Sequence, residues 1–137
     1  MTGGESRGWT VAVVLGIAAV LAIIFVVPFV IYGAASALHL VDIPQETSPQ
    51  RFLLGVLLTK LGTAGAFVLI LHFGAAALAG EWLLYSLIWF AMFAASEIGD
   101  AVSGRSSRQE ALLGVLSEAI YVPAAALAAY AILGISL

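Results

Sequence analysis

The 137-residue chain contains no cysteine. Disulfides, thiolate metal sites, thiol nucleophiles and covalent c-type haem attachment are therefore excluded. Charge is the second scarcity: five basic and eight acidic residues make 9% of the chain, against roughly 25% in soluble domains. The balance is −3 and no basic cluster exists, so nothing points to a nucleic-acid partner. So few charges cannot cover the surface of a soluble fold of this size. Hydrophobic residues, by contrast, reach 63%. The expected class is an all-α integral membrane protein, with the lipid bilayer as its first partner.

The charges divide the chain into apolar runs. Gly8 to Val41 has none, Phe52 to Gly80 only Lys60, Trp82 to Ser96 none, and Ala111 to Leu137 only Glu118. A helix needs about 20 residues to cross the hydrocarbon, and lipid-exposed backbone must satisfy its own hydrogen bonds. The expectation is one domain, 1–137: four transmembrane helices in a compact bundle, at about 9–32, 52–79, 82–100 and 111–135. The alternating segments of about 10 residues that a β-barrel needs are missing. Trp9 is a candidate interfacial anchor, and Pro28 is expected to kink the first helix. Ala35-Ser36-Ala37 has the form of a signal-peptidase site. The apolar stretch before it exceeds the usual 7–15 residues, so the expectation is an uncleaved span.

Lys and Arg set the orientation. Arg51, Arg105 and Arg108 lie on the side of loops 41–51 and 97–110, against Arg7 on the side of the termini. The positive-inside rule predicts a multi-pass protein of the cell membrane with both loops cytoplasmic and both termini outside.

Two charges fall inside spans. Lys60 is nine positions after Arg51 and Glu118 eight after Glu110, so they lie about 13 and 12 Å along helices entering from one side. Opposite charges matched in depth are expected to face each other, because an unpaired charge near the bilayer centre costs at least about 2.5–3.5 kcal/mol. Such a pair serves equally well as a packing device or as part of a pathway. Tyr121, three residues after Glu118, shares its helix face.

Glu97 and Asp100 form a second candidate, three apart at a membrane boundary on a stripe with Tyr85, Trp89, Phe93 and Ser96. With His39 they could hold a divalent cation or a lipid headgroup. The plainer reading is two solvated carboxylates at a helix end. His72 has no second histidine at comparable depth for a bis-His haem site, and no cofactor is expected. Gly62-x-x-x-Ala66 and Thr59-x-x-x-Thr63 permit close helix contacts, within one chain or between chains. The expected partners are further copies of the chain or other membrane subunits.

SEIGDAV, Ser96–Val102, resembles the acidic segment of bacterial diacylglycerol kinases. Spacing and span count depart from that family, and no residue role is carried over. Three functions compete on this reading. The first is a small channel or carrier with the Lys60–Glu118 pair on or near its pathway. The second is an accessory subunit of a larger membrane complex. The third is an enzyme acting on a lipid headgroup through Glu97, Asp100 and His39.

Overall fold

In a computed structural model, the described residues are 3–40 and 48–137, with the side chains of 3–7 and 49 excepted. Arg7's side chain and most of the loop expected at 41–51 lie outside that set. Helix α1 spans Gly3–Ala37, α2 Pro49–Phe73, α3 Ala75–Leu78, α4 Trp82–Val102 and α5 Arg108–Leu133. The four long helices are each apolar and long enough to cross a membrane. Over the described residues the protein is a four-span helical bundle.

The boundaries have local causes. α1 continues through Pro28 and five residues beyond the expected end, so the GAASA segment is helical. Ser48 caps α2, its hydroxyl accepting from Arg51 N–H. The second span ends at Phe73, earlier than its apolar run suggests, because a separate turn, α3, follows Gly74. A Cβ at Gly74 would stand 2.9 Å from Ile70 O and 3.0 Å from Leu78 Cδ1, so the close turn tolerates little else there. α5 starts at a capping box: the Ser107 hydroxyl accepts from Glu110 N–H, and Glu110 Oε2 accepts from Ser107 N–H at 2.6 Å. It ends at left-handed Gly134, φ 66°.

Side-chain contacts show that successive spans run antiparallel. Tyr32, late in α1, donates to the carbonyl of Glu110, early in α5. Trp9, early in α1, stacks on His72, late in α2, with ring centroids 5.6 Å apart. The Tyr130 hydroxyl donates to Leu78 O, and Gly80 N–H to Ser136 O, tying the end of α5 to the α2–α4 hairpin. The bundle therefore has a hairpin end and, opposite it, a loop end where α2 and α5 begin.

α5 is the central helix, packed against α1 and α4, while α2 packs on α1. Its buried face carries small residues, Ala111, Gly114, Ser117, Ala125, Ala126 and Ala129, interspersed with Glu118, Tyr121, Val122 and Tyr130. Small side chains let helix backbones approach closely where lipid gives no hydrophobic drive for association. Gly16 does the same on α1: a Cβ there would meet Val68 Cγ1 of α2 at 3.1 Å.

α2 and α4 do not pack backbone to backbone. They meet through an aromatic cluster in the hairpin half. The Phe67 ring lies 4.8 Å from Tyr85 and 5.1 Å from Trp89, and the Tyr85 hydroxyl donates to the Phe67 carbonyl. Tyr85 also neighbours the fully buried Tyr130 at 6.3 Å. Tyr85→Phe should lower stability by about 0.5–1.5 kcal/mol through the lost hydrogen bond. Tyr85→Ala should cost about 3–5 kcal/mol, as for deletion of a packed aromatic ring. Reversible unfolding of purified protein by detergent titration measures both, and equal losses would show that the ring contributes no packing.

Candidate functional site

The inward stripe of α2 runs through Val56, Lys60, Ala64, Phe67, Val68 and Leu71 at helical spacing. Ala64 to Leu71 are buried, whereas Val56 and Lys60 are only half-covered. The matching stripe of α4 behaves alike: Tyr85, Ser86 and Trp89 are buried, Phe93 and Glu97 half-exposed. Both helices therefore lose cover towards the loop end while α5 stays buried between them. The uncovered stretch is where the polar side chains gather.

Each long helix contributes. α1 supplies Tyr32, α2 Lys60, α4 Glu97, and α5 Glu118 with Tyr121. Their fields are coupled: Glu118 senses Glu97 and Lys60, and Tyr121 senses Glu118, Glu97 and Tyr32. Lys60 and Glu118 are the twelfth and eleventh residues of their helices, about 15–17 Å from the helix starts. That depth is about half the hydrocarbon thickness.

Lys60 Nζ stands over the Tyr121 ring, 5.2 Å from its centroid. No nitrogen–oxygen contact within 4.0 Å joins it to Glu118, although the Glu118 charge acts on it. The lysine thus meets the aromatic face before the carboxylate, a cation–π contact that is favoured where water is scarce. Glu118 is 5% exposed, and among the described residues its Oε2 has no hydrogen-bond partner; nor has the buried Ser117 Oγ beside it. A buried unpaired carboxylate oxygen is costly, so this spot holds unsatisfied acceptor capacity.

Glu97 and Asp100 part company. Glu97 turns inward against α5, where a Cβ on Gly114 would lie 2.6 Å from the carboxyl carbon. Asp100 pairs with Arg105 at 3.3 Å in an exposed bridge. His39 is exposed, in left-handed backbone at φ 56°, with no hydrogen bond or ion pair to either carboxylate. Among the described residues, no three His, Asp or Glu side chains stand close enough to hold a metal ion. Ser96, placed on the same stripe by spacing, is exposed.

Sequence reasoning assigned no site role to Tyr32, Gly114 or Ser117. Gly114 and Ser117 carried a readable signal, the small-residue periodicity of α5 at three- and four-residue intervals.

Gly114→Ala should push the Glu97 carboxylate, the movable end of a flexible side chain, out of its place against α5, and its effect on stability should change when Glu97→Ala has already removed that carboxylate. A double-mutant cycle in thermal stability reads the coupling, and additive losses would show that the two residues do not share space.

Comparison of the chain with protein-family models, with curated proteins and with solved structures found no match, so the geometry alone carries the functional reading.

Proposed function

We propose that the protein is a small carrier of charged solutes, with Lys60, Glu97, Glu118 and Tyr121 forming its binding station. The observation that carries the reading is Glu118: a carboxylate near mid-membrane depth, 5% exposed, with an oxygen left unpartnered. Ionisable groups inside a membrane bundle are costly and mark substrate or ion pathways by default. The surrounding architecture favours a carrier over an open pore. Beyond the station, towards the hairpin end, Phe67, Tyr85, Trp89 and Tyr130 fill the space between α2, α4 and α5. The station is thus half-open on one side and closed by aromatic packing on the other, one of the two states that alternating access requires.

In this reading the loop end faces the cytoplasm and both termini face outward, in the cell membrane. Its support is the Arg51, Arg105 and Arg108 excess on that side. Single cysteines at Ser48, Ser103 and Ser136 test it on a chain that has none of its own. An impermeant thiol reagent outside intact cells should label Ser136→Cys only, and the opposite pattern would invert the orientation.

A second reading, an accessory or self-associating subunit, has its own observation. The first half of α2 exposes Phe52, Leu53, Leu54, Leu57, Leu58 and Leu61. A Cβ on Gly55 or Gly62 would meet nothing within 4 Å, so the Gly62-x-x-x-Ala66 face is free for another helix. Lipid covers such a face equally well. For the lipid-headgroup enzyme the geometry offers less, since Glu97 and Asp100 serve different partners.

The test of the carrier reading is charge movement in proteoliposomes challenged with small amines, carboxylates, amino acids and inorganic ions. At least one class should drive a current that Glu118→Gln abolishes while the variant stays monodisperse. No current from any class, or currents indifferent to Glu118→Gln, would overturn it.

A further inference from the structure

A lysine resting on a tyrosine ring with two carboxylates close by is an occupied cation site. We infer that the Tyr121 face, flanked by Glu97 and Glu118, is a seat for a small organic ammonium ion, and that Lys60 is a tethered occupant which the ligand displaces. The inference deepens the carrier reading by naming its substrate class, and it rests on that reading for its biological use.

The charges around the seat favour a cation. The charges of Glu118 and Glu97 both act on the lysine, so the balance of charge around the Tyr121 ring is negative. Glu110, whose field also reaches Glu97 and Tyr32, has one carboxylate oxygen engaged by the Ser107 N–H. Asp100 is held by Arg105. Glu118 Oε2 is buried with no partner, an acceptor the tethered lysine leaves unsatisfied. A free ammonium ligand, unconstrained by a side-chain stem, could reach both the ring face and that oxygen.

The walls favour an organic cation over a metal ion. Phe93 stands 6.3 Å from the Tyr121 ring, and aromatic faces attract weakly hydrated ammonium groups. Hard divalent cations instead require six or more oxygen ligands, or firmly kept water. Among the described residues no cluster of three His, Asp or Glu offers that.

Lys60 has a way out. It lies where the α2 stripe loses its cover, and a four-carbon stem lets the ammonium swing towards the headgroups at the loop end. A neutral residue at 60 removes the competitor. Ligand affinity then rises by the inverse of the fraction of time the seat stands empty in the wild type.

Lys60 is the only lysine in the chain, so Cε-labelled lysine gives a single side-chain resonance from the unmodified protein. In detergent-solubilised wild type this signal should be shifted upfield by the Tyr121 ring current. Titration with ethylammonium chloride should move it towards the position of free lysine, whereas sodium chloride at equal ionic strength should not. Tyr121→Leu should remove the upfield shift at the outset. Lys60→Met, with Lys60→Gln as the alternate if Met impairs folding, should bind ethylammonium about tenfold tighter by calorimetry. A lysine signal that stays in place with ethylammonium, or moves as much with sodium ethanesulfonate, would overturn the seat. So would ethylammonium binding that weakens in both Lys60 variants. Ethylammonium binding without any proteoliposome current would leave the seat standing and sink the carrier; a current from another solute without ethylammonium binding would do the reverse.

Discussion

Inside hydrocarbon a charged side chain costs several kcal/mol unless protein shelters it, and a bundle that holds Lys60 and Glu118 near mid-membrane, with Glu97 nearer the loop end of α4, must be built around them. Lys60, Glu97 and Glu118 come from α2, α4 and α5, and they share one region because α5 is central. The small residues on the buried face of α5 make that possible. Gly114 leaves room for the Glu97 carboxylate, and the alanines further along let the hairpin half close tightly. The charged station and the tight packing are two consequences of one helix face.

The two halves of the bundle then divide the work. In the hairpin half, aromatic rings fill the space between α2 and α4, hydroxyls of Tyr85 and Tyr130 tie down backbone carbonyls, and the Ser136 carbonyl accepts from Gly80 N–H. In the loop half, the same inward stripes carry polar groups and are half-covered. The aromatic series continues through Trp89 and Phe93 to Tyr121, where it meets the lysine. Packing rigidity at one end and unsatisfied polar capacity at the other suit a binding station entered from one side.

The span count was legible because apolar runs and scattered charges set where each helix enters and leaves lipid. Depth was legible too, since a fixed rise per residue puts Lys60 and Glu118 at one level. Rotation of each helix about its axis was much less so. Membrane helices are apolar nearly all round, so hydropathy does not say which face turns inward. Hence spacing alone led to a Lys60–Glu118 pairing, whereas the lysine stands on Tyr121 with Glu118 in its field. Spacing also kept Glu97 and Asp100 together, though Gly114 draws one inward and Arg105 draws the other outward. The short turn α3 is not legible in the sequence because Ala75–Leu78 is as apolar as the span before it.

A station open to one face predicts that solvent enters the bundle from the loop end as far as Lys60 and Glu118 and stops at the aromatic cluster. Single cysteines at Val56, Phe93, Phe67 and Trp89, probed with a small water-soluble thiol reagent from each side of sealed vesicles, test it most directly. Val56→Cys and Phe93→Cys should react from the loop side alone, and Phe67→Cys and Trp89→Cys from neither side. Reaction at Phe67 and Trp89, or protection at all four positions, would contradict a station open to one face of the membrane.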